Sequence, residues 1–272
     1  VAECRKMSDI LRESMDEGAL GLSTGLTYPP GMWADTQELV TLCRVVKEKG
    51  GVYATHVRYT LGDGLLDGFR EAIGIAMESG CALHISHFYV PAALRHTPER
   101  MLTLIDIARS SGVDVTFDLY TYEYGSSTLA SVLPSWTQTA GPDGILRHLS
   151  DNASRSQIRA SGPLKWRPDN ILIASTGSAK DKLCEGHFLA EIAEQRGQDC
   201  WDVIFDLLLE SDLEVSFTVE TGACDDIAAL VGHDACVIGS DALLVEGHNN
   251  PRSYGTFPRL LQKYVREYRS LS

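Results

Sequence analysis

Short runs of β-branched and apolar residues alternate along this chain with segments of helical periodicity, and no other feature constrains its fold as strongly. That rhythm is the mark of βαβ units and therefore of an α/β protein built on a parallel sheet. Strands are expected at roughly 19–24, 51–57, 81–87, 113–119, 170–175 and 236–241, with a further one near 214–219. Helices fit between them. One over 36–49 opens with Asp35 and Glu38 at capping-box spacing and stops before Gly50-Gly51. Another starts at Thr97-Pro98-Glu99, a cap followed by proline at the first helical position, and runs to Gly112. Further helical patterns cover 64–79, 187–196 and 199–211, while 121–170, rich in Ser, Thr, Gly and Pro, reads as loops and short helices. The chain opens at Val1 inside a helical pattern with Met7, Ile10, Leu11 and Met15 on one face, so a piece of something longer is expected.

Bulk properties remove several classes of function. The 272 residues suffice for one sizeable core, and the whole chain, 1–272, reads as a single domain. No apolar run reaches the roughly 18 residues of a membrane span, which points away from membranes and toward the cytoplasm. A net charge of -13 without a Lys/Arg cluster argues against nucleic acid and leaves a small molecule as the expected partner. The seven cysteines are scattered and never form a C-x-x-C pair, so neither a disulfide framework nor a zinc knuckle is expected.

Chemistry concentrates at strand ends. In GGVYATHVR a strand closes on His56, and in GCALHISHFYV another closes on His87. Counting by twos sets Val52, Ala54 and His56 on one side and gives Leu83, Ile85 and His87 the same relation. If the sheet closes into a barrel, both rings point into its mouth, where barrel enzymes keep their active sites. A third strand, CVIGSD, ends at Asp241. Two imidazoles and a carboxylate can hold a divalent metal, or Asp241 can act as general base on a bound water. The plainer alternative is a pair of hydrogen-bonded structural histidines. Alternation sends His84 to the face opposite His87, so His84 and His87 are not expected to chelate together.

Five segments carry a resemblance to a known family: GALGLSTGL with YPPG after it, GGVYATHVR, ISH, DVTFDLYTYEYGSSTLASVLPSW, and IGSDA with NPRSYGTFPRLLQKYVRE. Together they resemble the D-aminoacylase, or N-acyl-D-amino-acid deacylase, branch of the metal-dependent amidohydrolases. The resemblance implies a (β/α)8 TIM barrel, here incomplete with about strands four to eight, and zinc-dependent hydrolysis of the amide of N-acyl-D-amino acids. By the same resemblance His56 and His87 match metal-binding histidines of strands five and six, and Asp241 matches the catalytic aspartate of strand eight. Tyr120 matches a tyrosine that holds the scissile acyl group, and Ser126 and Arg252 match groups that bind the substrate carboxylate. Read without the family, Arg252 could instead pair with a surface carboxylate and Tyr120 could be a core residue.

The family pattern also includes an H-x-H pair at the first strand and an early cysteine ligand, and neither occurs here. An amino-terminal segment or a homo-oligomeric partner is therefore expected to complete the structure. Phe88-Tyr89-Val90 stand where a lysine is usual, Thr121 replaces a proline, and Ala242 replaces a glycine. Two alternatives follow: a catalytically silent truncated relative, and a cyclic-amide hydrolase of the dihydroorotase or hydantoinase kind. No lysine lies in 19–24, which counts against the second. Gly21-Leu22-Ser23-Thr24-Gly25 matches the G-x-S-x-G pattern of a serine-hydrolase elbow, but Leu26 to Gly31, with two prolines, stands where a helix should begin. A paper triad of Ser23, Asp226 and His233 remains to be tested against the fold.

Overall fold

The computed structural model describes residues 2–59, 66–91, 94–244 and 248–271. In chain order the elements are α1 (Ala2–Asp16), β1 (Gly21–Gly25), α2 (Thr36–Glu48), β2 (Val52–His56), α3 (Asp67–Ser79), β3 (Ala82–Ile85), α4 (Glu99–Ser110), β4 (Val115–Leu119) and β5 (Tyr124–Thr128). They continue with α5 (Gly141–Ser150), α6 (Asn152–Ala160), β6 (Leu172–Thr176), α7 (Leu189–Arg196), α8 (Cys200–Glu210), β7 (Val215–Glu220), α9 (Cys224–Val231), β8 (Cys236–Ile238) and α10 (Arg252–Arg259). Residues 64 and 65 of the helix expected over 64–79 lie outside the described residues.

Where the sequence reads as one domain, the chain divides into two compact units: Val1–Thr121, Gly222–Asp241 and Thr256–Ser272 in the first, and Tyr122–Thr221 and Ala242–Gly255 in the second. The first holds a five-stranded sheet in the order β1-β2-β3-β4-β8. Every neighbouring pair in it is parallel, as the βαβ rhythm requires. Asp35 caps α2 by accepting the Glu38 N–H at 2.8 Å, as the capping-box spacing predicts. In α1, Leu11 is buried and Met7 and Met15 pack on the same core, but Ile10 is 53% exposed. The helix thus buries a narrow i, i+4, i+8 stripe rather than the wider face expected.

The two faces of this sheet differ sharply. Tyr53, Thr55, Leu83, Ile85, Val115 and Phe117 are buried, and the apolar ones belong to one core with α2, α3 and α4. A hydroxyl ladder crosses that face, with Thr24 Oγ1 2.9 Å from both the Tyr53 hydroxyl and Thr55 Oγ1. The strand register places Ser23, Ala54, His84 and Thr116 side by side on the opposite face, followed by Asp118 beside Val237. This face is less buried, and Val52 and Val237 are 42% and 49% exposed. Strands β1 and β2 approach so closely that a Cβ on Gly21 would sit 1.9 Å from the Val52 carbonyl oxygen, so the glycine is required there.

The second unit corrects the reading of the remaining strands. The runs near 170–175 and 214–219 do form strands, β6 and β7, but they pair antiparallel in a separate three-stranded sheet of order β5-β7-β6. Periodicity identifies a strand without naming its partner, and the helices around it kept the βαβ rhythm intact. β5 was not expected at all, because Gly125, Ser126, Ser127 and Thr128 have turn-like composition and gain their extended form by pairing with β7. Its larger segment, Tyr122–Thr221, lies in sequence between β4 and β8, which are adjacent in the first sheet, and Ala242–Gly255 follows β8. Its core is built from Ile171, Ile173, Phe217, Val219 and the buried faces of α5 to α8.

Candidate active site

All strands of the first sheet run the same way, so His56, His87, Tyr120 and Asp241 follow or end β2, β3, β4 and β8 at one edge. His56 closes β2, its face fixed by the Ala54 and Val52 alternation. His87 reaches the site by a different route from the one alternation predicts. Leu83 and Ile85 are buried at 1% and 0% on the helix-covered face, and continued alternation would carry His87 there. Instead β3 stops at Ile85 and His87 adopts φ 38, a left-handed conformation that costs a non-glycine residue of order 1 kcal/mol.

The turn that holds this conformation is pinned from both neighbouring strands. Ser86 donates its N–H to the Thr55 carbonyl at 3.0 Å, and Phe88 donates to the Asp118 carbonyl at 2.7 Å. The Asp118 side chain takes the His87 N–H itself, with Oδ1 at 2.7 Å. Phe88 is fully buried and packs its ring 5.2 Å from Phe69 and 4.5 Å from Phe117, centroid to centroid. Phe88 therefore anchors the core side of the turn and turns His87 toward His56. The result is a contact of 2.8 Å between His56 Nδ1 and His87 Nε2, with the rings edge to face at 4.5 Å.

Aromatic hydroxyls surround this pair. The Tyr59 hydroxyl lies 3.1 Å from His87 Nδ1 and 3.3 Å from the His87 carbonyl oxygen. Donating to the carbonyl and accepting from Nδ1–H would fix the tautomer that leaves the Nε2 lone pair available, the arrangement typical of metal-binding histidines. Burial, then the neighbouring Tyr89, Tyr120 and Tyr28 hydroxyls and Asp118, push the Tyr59 phenol well above its ordinary value, so it stays a neutral donor. Tyr89 is also pushed up, by burial first. It stacks on Tyr59 at 5.2 Å, while Tyr28 lies 5.0 Å from the His56 ring. Tyr120, buried, directly follows β4.

His84 departs from expectation in a useful way. It stands on the same sheet face as Ala54, where its Nδ1 is 2.8 Å from Thr116 Oγ1 and its Nε2 is 2.9 Å from Asp118 Oδ2. Its ring nitrogens are thus committed, and its service is to hold the carboxylate that holds His87. Sequence reasoning missed Asp118 and Tyr59. A signal for Asp118 exists in VTFDL, where Thr116 and Asp118 alternate with Val115, Phe117 and Leu119. Tyr59, beyond β2 in loop sequence, offered none.

Asp241 lies beyond β8, exposed, with φ 45. The structure brings His56 and His87 together but does not gather Asp241 with them, since among the described residues no three of His, Cys, Asp and Glu group as a metal site would. Ser126 and Arg252 belong to the second unit, where Asn250 links them. Its Nδ2 donates to Ser126 Oγ at 2.9 Å and to the Tyr124 carbonyl at 3.0 Å, and its Oδ1 accepts the Arg252 N–H at 3.0 Å. Arg252 is 3% exposed, which is unlike a surface ion-pair residue. The serine-hydrolase reading fails: Ser23 is mid-strand in β1 rather than at a turn, Asp226 accepts the His96 N–H at 3.0 and 3.1 Å, and His233 Nε2 lies 3.0 Å from Asp106.

Comparison with known proteins agrees with the resemblance read from the motifs. No family model matches the chain. An N-acyl-D-glutamate deacylase of Alcaligenes xylosoxydans xylosoxydans is 30% identical over 267 residues, covering 97% of this chain and 46% of the relative. A D-aminoacylase of the same organism is 30% identical over 266 residues, covering 97% and 47%. A crystal structure of N-acyl-D-glutamate deacylase from Bordetella bronchiseptica, complexed with zinc and a phosphonate mimic of the tetrahedral intermediate, superimposes with a TM-score of 0.78 at 29% identity. It covers 100% of this chain and 49% of that one. A D-aminoacylase structure described as defining a novel subset of amidohydrolases gives 0.74 at 27%, covering 99% and 49%. The chain belongs to the N-acyl-D-amino-acid deacylase family. It spans about half the length of the curated relatives it matches. Among its described residues no helix is long and apolar enough to cross a membrane.

Proposed function

We propose that this chain carries the histidine-bearing part of a zinc-dependent N-acyl-D-amino-acid deacylase. The single observation behind the proposal is the 2.8 Å approach of His56 Nδ1 and His87 Nε2 at the carboxyl edge of a parallel sheet. That edge is where such folds keep their chemistry. The five parallel strands are read as strands four to eight of a (β/α)8 barrel, with the larger segment of the second unit, Tyr122–Thr221, as an insertion before the last strand. Further polypeptide, or a second copy of the chain, would then cover the open face that exposes Val52 and Val237. Seven free cysteines favour a cytoplasmic setting.

The fit to zinc is a fit of donors. Two imidazole nitrogens lie 2.8 Å apart with a hydroxyl beside one of the rings, while a tetrahedral site takes four donors, so other groups must contribute. When bound, zinc supplies Lewis-acid activation of the acyl carbonyl and an acidified water. Asp241 would accept the proton of that water and return it to the leaving amine, a role for which its place after β8 and its solvent exposure suit it. Tyr120 would donate to the acyl oxygen. Arg252 would form a fork on the substrate carboxylate, with Asn250 setting its backbone and Ser126 completing the set.

Zinc per chain and amine release from N-acetyl-D-amino acids test this together, with Asp241→Asn as the control. Zinc binding with turnover that falls at least a hundredfold in Asp241→Asn supports the assignment. Unchanged kcat in a folded Asp241→Asn variant contradicts it. The second reading, a catalytically silent relative, is favoured by the absence of a three-ligand group among the described residues. It expects neither zinc nor turnover.

A further inference from the structure

The loop after β1, residues 26–35, brings an aromatic ring to the histidine pair. Its first half is tied to the end of β2: Leu26 donates its N–H to the His56 carbonyl at 3.0 Å, and the Thr27 hydroxyl donates to the Val57 carbonyl at 3.2 Å. The chain then folds back on itself, with the Met32 N–H on the Tyr28 carbonyl at 2.9 Å. The fold is so tight that a Cβ on Gly31 would sit 2.7 Å from the Gly25 carbonyl oxygen. Tyr28 stands at its head, with its ring tilted 47° to the His56 ring and 5.0 Å away, centroid to centroid.

The second half of the loop depends on Arg58, two residues beyond His56. Its Nη1 donates to the Met32 carbonyl at 2.6 Å and its Nη2 to the Ala34 carbonyl at 2.7 Å. Nε donates to Glu71 Oε2 on α3 at 3.1 Å, and Glu71 Oε1 accepts the hydroxyl of Thr36, the first residue of α2, at 2.8 Å. The side chains of Arg58 and Glu71 are only 12% and 7% exposed, so the pair is little screened. Each of the three guanidinium nitrogens thus has a partner within the protein, which sets Arg58 apart from an arginine kept for substrate. A lysine ammonium, a single point charge on a flexible stem, cannot reproduce this fork.

We propose that Arg58 is a positioning residue of the site: by holding residues 32–34 it keeps Tyr28 against His56 and so fixes the orientation of the His56 ring. That ring is wedged on three sides, by Tyr28 and, edge to face, by Tyr59 at 5.0 Å and His87 at 4.5 Å. Withdrawal of Tyr28 opens one side, and the ring gains room to turn its Nδ1 away from His87 Nε2. The consequence for metal rests on the reading of His56 as a zinc ligand, whereas the placement of the ring does not.

The test is the Cε1–H signal of His56 in NMR spectra of the metal-free 272-residue chain at one fixed pH, assigned by its loss in His56→Gln. Tyr28→Leu removes the neighbouring ring current and gives the reference displacement. Arg58→Lys should move the His56 signal in the same direction while the signal of His84, on the same sheet, stays in place. An unmoved His56 signal, or an equal displacement of His84 that marks general loosening, would overturn the proposal. Zinc affinity of the same samples should fall about tenfold in Arg58→Lys, and equal affinity in the two chains would also overturn it. If the native chain takes up no zinc, the deacylase reading fails and the NMR result still decides the role of Arg58. If Arg58→Lys does not fold, the native chain decides. Separate, slowly exchanging Nη signals with NOEs from Arg58 to Met32 and Ala34, and NOEs between the Tyr28 and His56 rings, are then expected, and a single averaged guanidinium signal would refute the clamp.

Discussion

Replacing Asp118 by alanine probes the support of the site without touching either imidazole. Two bonds are lost: the His87 N–H loses Oδ1 at 2.7 Å, and His84 loses Oδ2 at 2.9 Å. Hydrogen bonds to a charged group contribute about 1.5–3 kcal/mol each, and with the carboxylate 21% exposed the lower end applies. The His87 backbone also loses part of what offsets the cost of its positive φ. A net destabilisation of ~2–4 kcal/mol follows from these terms. The second consequence concerns metal. With His87 free to relax toward negative φ, its Nε2 leaves the position opposite His56, and partners behind metal ligands typically contribute 10–100-fold in affinity. Urea unfolding and zinc titration on the same samples separate the two effects. Asp118→Asn keeps the shape and an acceptor for the amide, so it should recover most of the stability. If Asp118→Ala lowers stability by less than about 0.5 kcal/mol and leaves zinc affinity within twofold, the account of how His87 is held is wrong.

Other expectations follow from the same geometry. Phe88→Ala removes a fully buried ring wedged between Phe69 and Phe117 and should cost ~3–5 kcal/mol in urea unfolding, with zinc affinity falling alongside. Arg252→Lys keeps the charge but loses the fork, so KM for an N-acetyl-D-amino acid should rise about tenfold or more with kcat little changed. Asp181, fully buried beside Glu210 and bonded to Arg196 at 2.6 Å, is held above the usual carboxylate range, first by burial and then by Glu210. A raised folded-state value means its contribution is fully present below the ordinary value of 3.8 and is lost as pH rises through the raised one. Asp181→Asn should therefore resist urea better than the native chain at pH 7, with the advantage shrinking toward pH 4.

Some of this structure was legible in the sequence, and the limits have physical causes. The strands that became β1 to β4 announce themselves as short extended runs between helical patterns, and in β2 to β4 every second residue is buried. His56 was legible through simple alternation. The approach of His87 to His56 was foreseen for a reason that does not hold: the ring meets its partner because Asp118 and Phe88 impose a left-handed turn, and no periodicity encodes a turn of that kind. His84 was set aside as facing away, yet it shares the face of Ala54 and steadies Asp118. In the second unit, the strands β6 and β7 were visible, but their antiparallel partner β5 was hidden in serine- and glycine-rich sequence whose extended form depends on pairing. The link from Ser126 to Arg252 through Asn250 spans 124 positions to Asn250 and was invisible for that reason.

X-ray absorption at the zinc K edge of the zinc-loaded chain addresses the central claim most directly. Two imidazole nitrogens at about 2.0–2.1 Å, lost in His56→Ala/His87→Ala, are the predicted result. A zinc shell without imidazole, or equal zinc uptake by the doubly substituted chain, would contradict it.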